Sequence, residues 1–460
     1  MSIKNSIKRL LILLPVIAAM TLLPQSAAGM EEIRIPVYAA EANRGPAAPL
    51  HQKELTLYLD NVPTPFSLET HDENDSETGK LNIIILDSTL STYNDFVNGK
   101  RIAEKLVNSF PPCDTFAVIQ LSPLAGLRLI CPPFPAGTDK KLALAQIKTL
   151  ELYPELSKKF SLGFERVLRD IQSIRYNRSG IHIPGSHSKA IKKIKQIFSE
   201  AYYYETQTLR FSYFLSKFKN ALDMIPKPKV VYLLSGSPEK DPPETNPHSL
   251  LTRRDYEYTT FAGDFREKLI KTMNQSGCLV FNIDTRKQGH TVPHAPLFYQ
   301  LRFSRAFKPG ESVSVRLHCT REGINLSYPP CIVPAHSYES MDNRQKRLFL
   351  LDVILEEPWV QLAAPVEKVP FKISAESLQP GEETTGSDTL QIVLPGGMYR
   401  GDVDVYTFYI DPGTRKARIR FSQRIAREDV TLTIDKAKDK HRFFVVVEPA
   451  ETYCIYNQVK

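Results

Sequence analysis

Three oxygen-bearing side chains follow a strongly apolar run and are the residues best suited to chemistry. The run Leu81–Leu86 is followed by Asp87, with Thr89 and Ser91 at alternate positions after it. One carboxylate and two hydroxyls at this spacing form a candidate oxygen-ligand site. The residues indicate a binding architecture, and they do not name the ligand.

The apolar run predicts the element that positions these side chains. Residues Ile83, Ile84 and Ile85 are β-branched and consecutive, which is typical of a parallel strand buried on both faces of an α/β sheet. Ligands of open α/β sheets bind outside the carboxyl ends of the strands. We therefore expect Asp87, Thr89 and Ser91 to lie on a ligand-facing edge.

Strand and helix patterns alternate after this run. An amphipathic helix is predicted over Tyr93–Phe110, a hairpin over Thr115–Leu121 and Gly126–Ile130, and further buried strands over Val230–Leu234 and Cys278–Ile283. Such alternation predicts the fold class: α/β, with a doubly wound, mostly parallel sheet.

The 460 residues are divided by composition into several units. The predicted organisation is a signal peptide (1–29), an N-terminal β segment (30–72), an α/β domain (80–335) with a helical insertion near 151–224 and a terminal β hairpin, a connecting helix (336–358) and a C-terminal β-sandwich-like domain (359–460).

The first residues resemble an export signal. Basic Lys4, Lys8 and Arg9 precede an apolar stretch that ends in small residues at Gly29. A retained membrane anchor is the competing interpretation. We expect a periplasmic, cell-surface or secreted protein without an integral membrane segment after cleavage. The net charge of +8 falls to +5 without the three signal cations, and we expect no nucleic-acid partner.

The six cysteines contain no CxxC pair, so a zinc ribbon is unsupported. Cys113 and Cys131 flank the predicted hairpin at nearly matching distances from its turn. In an oxidising compartment this arrangement predicts a disulfide between them.

The order of elements, together with four short motifs, resembles the von Willebrand factor type A (VWFA) fold, and in particular the VWFA-related exported bacterial proteins. The likeness covers roughly Ile33 to Pro330. The motifs that carry it are Leu55–Pro63, Ile225–Pro238, Cys278–Arg286 and Phe298–Phe303.

This resemblance implies a metal-ion-dependent adhesion site for Mg²⁺ or Mn²⁺, completed by a carboxylate of the partner. The family's D-x-S-x-S motif corresponds to Asp87, Thr89 and Ser91, with Thr in place of the first Ser. Ser161 is the candidate on the second loop, and the usual third-loop Asp is replaced by Gly236. The site is thus degenerate, and the alternative role of Asp87 is to cap the following helix or bind loop amides.

Three functions remain open. The first is an exported, non-enzymatic adhesion-type protein that binds a protein or cell-envelope partner. The second is a purely structural or assembly protein without a metal site. The third is a hydrolase, which the sequence favours least because Leu234–Pro238 lacks the first Gly of a nucleophile elbow and no HExxH occurs. The pairs His182/His187 and His290/His294 are predicted to lie in loops.

Overall fold

A computed structural model describes most of the chain in separate stretches. The described residues are 31–41, 49–70, 79–88, 91, 93–122, 126–151, 204–236, 265–286, 298–307, 311–368, 387–391, 402–410, 417–425, 431–435, 441–449 and 453–459. The predicted signal peptide and most of the predicted helical insertion lie outside these residues.

Strands predominate over helices in the described residues. In chain order the strands are β1 (Glu31–Glu41), β2 (Leu55–Leu59), β3 (Val62–Thr64), β4 (Ser67–Thr70), β5 (Leu81–Asp87), β6 (Thr115–Ser122), β7 (Gly126–Pro135), β8 (Lys229–Ser235), β9 (Cys278–Asp284), β10 (Phe298–Arg305), β11 (Val313–Cys319), β12 (Ile324–Ser327), β13 (Cys331–Ile332), β14 (Val366–Lys368), β15 (Ser387–Gln391), β16 (Val403–Ile410), β17 (Ala417–Ile425), β18 (Thr431–Asp435), β19 (His441–Glu448) and β20 (Tyr453–Val459). The helices are α1 (Tyr93–Ser109), α2 (Lys141–Thr149), α3 (Tyr204–Met224), α4 (265–275), α5 (Asn343–Ile354) and α6 (Pro358–Ala363), with a short 3₁₀ turn at Gln52–Glu54.

The central unit is a mixed sheet of five strands in the order β7–β6–β5–β8–β9. Strands β6, β5, β8 and β9 are parallel, and β7 returns antiparallel to β6 as a hairpin. Every residue of β5 and β8 is buried, which explains why both are continuous apolar runs. The prediction that Leu81–Asp87 is a central parallel strand is confirmed by its parallel neighbours on both sides.

Helices cover both faces of the mixed sheet. On one face α1 and α2 pack on the even-numbered side chains of β5, such as Ile84 and Leu86. On the other face α3, α4 and α6 pack on Ile83 and Ile85. Alternate side chains of one strand thus enter two separate cores, as the pleat requires.

The strands before and after the mixed sheet build one β-sandwich. Its sheets have the orders β12–β1–β10–β4 and β13–β11–β2–β3, and all their pairs are antiparallel. Strand β11 alternates buried and exposed residues, as expected for a sheet with one solvated face. Both sheets contribute side chains to a common core that includes Val37, Leu57, Leu301 and Val313.

The C-terminal strands form a separate sheet with the order β14–β20–β19–β16–β17. Helix α5 packs on it through Phe349, Leu350 and Val353. Helix α6 contacts two cores, because Trp359 joins the core beneath the mixed sheet while Val360 joins the C-terminal core. Strands β15 and β18 pair with each other.

The predicted fold class, a doubly wound and mostly parallel sheet of VWFA type, is wrong. Parallel pairing among the described strands is confined to β5, β6, β8 and β9 and to the short pair β14–β20, while the other sheets are antiparallel. The alternation of strands and helices between residues 81 and 284 gives one mixed sheet, in which β7 is antiparallel to β6. The flanking strands instead carry one apolar face each and pair with one another across a long stretch of sequence.

Candidate functional site

The candidate site lies at the carboxyl edge of the mixed sheet, where three parallel strands end side by side. Strand β5 ends at Asp87, β8 at Ser235 and β9 at Asp284. Ser235 pairs with Asp284, and Leu86 pairs with Leu234, so the three ends are in register. Polar side chains that are far apart in sequence therefore share one edge.

Asp87 and Ser91 both form hydrogen bonds with residues at the end of β8. The Ser235 hydroxyl donates to Asp87 Oδ2 at 2.7 Å, and the Gly236 amide donates to Ser91 Oγ at 3.1 Å. Asp87 is 1% exposed and Ser91 is 5% exposed. The structure thus brings together two of the predicted site residues, whereas Thr89 and Ser161 lie outside the described residues.

Gly236 faces a carboxylate that the sequence analysis did not single out. A β-carbon built on Gly236 would lie 2.7 Å from Asp95 Oδ2 and 2.8 Å from Asp95 Cβ, which is closer than real β-carbons approach other atoms. Asp95 is in the first turn of α1 and is 8% exposed. Its carboxylate therefore occupies the space that a side chain at position 236 would need.

The sequence did carry a signal for Asp95. It follows Ser91 by four residues and falls in the first turn of the predicted helix, where a carboxylate interacts favourably with the helix dipole. That position suits a structural acid equally well, so only the contact with Gly236 assigns Asp95 to the edge.

Arg266, in α4, adds positive charge near the same edge. Its Nη2 donates to Asn282 Oδ1 at 2.5 Å. Burial lowers the pKa of the Arg266 guanidinium, and the charges of Asp87 and Asp284 oppose that shift. Asp284 itself receives three bonds from Arg286, from the backbone amide at 3.0 Å, from Nε at 2.9 Å and from Nη2 at 2.8 Å.

Two further buried side chains border the site. Gln120 Nε2 donates to the Ser88 hydroxyl at 2.9 Å and to the Glu151 carbonyl at 2.8 Å. Thr285, directly after β9, is 1% exposed, and its Oγ1 has no hydrogen-bond partner among the residues that the structure describes. Its amide donates to the Ser235 carbonyl at 3.1 Å, which places this hydroxyl-bearing residue beside Ser235.

The arrangement supplies hard oxygen donors at one edge. The carboxylates of Asp87 and Asp95 and the hydroxyls of Ser91 and Ser235 come from two neighbouring segments. Oxygen donors of this kind suit Mg²⁺ or Mn²⁺. No group of three or more His, Cys, Asp or Glu side chains with metal-ligand geometry occurs in the part of the chain that the structure describes. A cation here would therefore depend on hydroxyls as well as carboxylates.

The predicted Cys113–Cys131 disulfide is absent, since all six cysteines are free thiols. The hairpin register explains this result. Cys131 pairs with Val118 in the middle of the hairpin, whereas Cys113 precedes β6 and its thiol lies 3.8 Å from Asp114 Oδ1. The pairing of Ser122 with Gly126 would place Cys131 opposite Ala117 even in an uninterrupted register, four residues from Cys113.

The histidines predicted to lie in loops, His182, His187, His290 and His294, fall outside the described residues. Within the described stretches no helix is long and apolar enough to cross a membrane. Comparison of the chain with protein-family models gives no match, and a search among curated proteins gives none either.

Proposed function

We propose that this is an exported, non-enzymatic protein that binds a protein or cell-envelope partner at the carboxyl edge of its mixed sheet. The N-terminal pattern of basic, apolar and small residues supports export. The observation that carries the binding proposal is the contact between Asp95 and Gly236. It supplies a second carboxylate at Gly236, directly after the Ser235 that bonds Asp87, where the sequence had suggested a missing ligand.

A divalent cation of the Mg²⁺ or Mn²⁺ class fits this donor set. Asp87 and Asp95 would hold it with the hydroxyls of Ser91 and Ser235. When bound, the cation would supply positive charge to which a carboxylate of the partner binds. Arg266 opposes cation binding, because its guanidinium is attracted by Asp87 and Asp284. We therefore expect weak cation affinity.

Calorimetric titration of the full chain with MnCl₂ and MgCl₂ tests the proposal. We expect Mn²⁺ binding that weakens by at least about tenfold in Asp87→Asn and in Asp95→Asn, because affinity follows the number of anionic ligands. The matched control is Asp139→Asn, which removes a carboxylate whose side chain is 67% exposed and far along the sequence from the edge. This variant should bind as the unchanged protein does.

The opposite outcomes are equally specific. Absence of binding in the unchanged protein, or equal binding by all three variants, overturns the cation site. Circular dichroism of each variant separates loss of ligands from loss of fold. An activity-based serine hydrolase probe provides a second check, since labelling of the protein would contradict a non-enzymatic role.

A structural or assembly role is the second candidate, and specific contacts favour it. The bonds Ser235–Asp87 and Gly236–Ser91 join the end of β8 to the segment after β5. In this role Asp87 binds neighbouring groups of the fold and no ion. The prediction that distinguishes it is that Asp87→Asn lowers the free energy of unfolding, while neither Mn²⁺ nor Mg²⁺ changes the stability of the unchanged protein.

A further inference from the structure

The opposite end of the mixed sheet holds a second group of buried reactive side chains. At the amino ends of β8 and β9, Lys229 pairs in register with Cys278. Cys278 is fully buried, and Lys229 is 6% exposed, with Nζ donating to the Ile225 carbonyl at 3.1 Å. Asp223 and Ser276 are also buried there, and none of the described residues forms a hydrogen bond with Asp223 Oδ1 or Ser276 Oγ.

Cys331 of the β-sandwich reaches the same place. Its Sγ donates to the Asn274 carbonyl at 3.0 Å, and the Gly277 amide donates to that carbonyl at 3.1 Å. A β-carbon built on Gly277 would lie 3.4 Å from the Cys331 carbonyl oxygen. Since Cys278 follows Gly277 directly, the chain segments that carry the two cysteines are in backbone contact.

The two thiols differ in access to solutes. Cys331 is partly exposed and lines an open cleft of 510 Å³ between α4 and the β-sandwich. The other lining residues are Glu267, Ile270, Lys271, Asn274, Gln275, Ser312 and Pro330. Cys278 lies in the core beneath α3 and α4. A small molecule that enters the cleft meets Cys331 first.

We propose that Cys331 and Cys278 are a redox pair that a small-molecule disulfide of the glutathione class converts into an intramolecular disulfide. The Cys331 thiolate attacks one sulfur of the reagent, forming a mixed disulfide and releasing the first reagent thiol. The Cys278 thiolate then attacks Cys331 Sγ, forming the protein disulfide and releasing the second reagent thiol. Each cysteine loses one proton, and the reagent gains two electrons and two protons.

Charge around the pair determines the order and the speed of these steps. Burial raises the pKa of Cys278 to about 12, Lys229 lowers it, and Asp223 and Cys331 raise it further. Burial also lowers the pKa of Lys229. The second step is therefore slow near neutral pH and accelerates as the pH rises, because only the thiolate attacks.

The bond would join the mixed sheet to the β-sandwich, since Cys278 begins β9 and Cys331 begins β13. The disulfide would therefore oppose separation of the mixed sheet from the β-sandwich. An exported protein meets oxidising conditions in which this chemistry occurs. The pair differs in position from the Cys113–Cys131 pair that the sequence suggested, since it joins two sheets and not two strands of one hairpin.

The test is incubation of the full chain with oxidised glutathione at pH 8, followed by alkylation and non-reducing peptide mapping. We expect loss of two thiols and one linked peptide pair that contains Cys278 and Cys331. In Cys278→Ser the product should stop at a stable glutathione adduct on Cys331. In Cys331→Ser, Cys278 should stay reduced.

Cys319→Ser is the matched control, because it removes another partly exposed thiol of the sandwich and should leave the linked peptide unchanged. A stable adduct on Cys331 with reduced Cys278 in the unchanged protein would overturn the proposal, as would a different linkage or no reaction. If Cys278→Ser fails to fold by circular dichroism, Cys278→Ala serves in its place, since it fills the buried position without a polar atom.

Discussion

The polar side chains at the two ends of the mixed sheet have different surroundings. At the amino end, Lys80 and Asp114 form an ion pair at 2.8 Å, with side chains only 4% and 0% exposed. At the carboxyl edge, Asp87 and Asp95 lie among hydroxyls and backbone amides near the start of α1. The comparison suggests that the amino end contributes to stability, and that the carboxyl edge is the better place for a ligand.

Tertiary contacts close the amino end of the sheet at β5 and β6. Asp114 also accepts bonds from the Lys80 amide at 3.1 Å and from Asn82 Nδ2 at 2.8 Å. The Lys80 ammonium lies 4.7 Å from the ring centre of Phe298, the first residue of β10 in the sandwich. The sandwich therefore covers the starts of β5 and β6, and the charge of Lys80 is matched there by that of Asp114.

The largest expected effect is at the amino end. Lys80→Met leaves the Asp114 carboxylate buried without its cation and should lower the free energy of unfolding by about 3–5 kcal/mol. Urea unfolding followed by circular dichroism measures this change. The matched control is Lys141→Met, which breaks a pair whose side chains are 89% and 67% exposed and should change stability little. Equal effects of the two substitutions would remove the contrast between buried and exposed pairs.

A smaller effect is expected at the carboxyl edge from Gly236→Ala. The new β-carbon would overlap Asp95, and overpacking of this kind costs about 1–3 kcal/mol. In an Asp95→Gly background the same substitution should cost much less, because the overlapping side chain is gone. Urea unfolding of the four proteins in this double-mutant cycle gives the coupling energy. Additive effects would show that Asp95 does not restrict position 236.

Ser235→Ala should reduce stability less than Gly236→Ala does. It removes the 2.7 Å donor to Asp87 and should lower the free energy of unfolding by about 1–2 kcal/mol. Ser340→Ala is the control, since the hydroxyl of Ser340 bonds an exposed turn carbonyl, and surface changes stay within about 0.5 kcal/mol. A loss equal to that of the control would mean that the Ser235 bond does not stabilise the edge.

The smallest effect is expected from Thr285→Val. The Oγ1 of Thr285 is buried and bonds to no other described residue, so a methyl group of the same shape should change stability by about 0–0.5 kcal/mol, in the stabilising direction. Thermal unfolding followed by calorimetry measures the shift. Destabilisation by more than about 1 kcal/mol would reveal a partner of this hydroxyl and would add it to the candidate site.

Local elements followed from the sequence because their patterns depend on near neighbours. The helix predicted over Tyr93–Phe110 is α1, the hairpin after it is β6–β7, and the buried runs at Val230 and Cys278 are β8 and β9. A strand buried on both faces needs a run of apolar residues, and that run is visible in the strand's own sequence without knowledge of its partners.

The sequence by itself determined that Leu81–Asp87 is a buried strand with a polar end, since apolar periodicity is a local property. Only the tertiary structure decided that β1 pairs with β10, and that Asp95 fills the space beside Gly236. Pairing partners and side-chain contacts depend on which apolar faces meet in three dimensions, and several partners satisfy the same periodicity. For this reason the strand was predicted correctly, while the fold class and the second carboxylate of the edge were not.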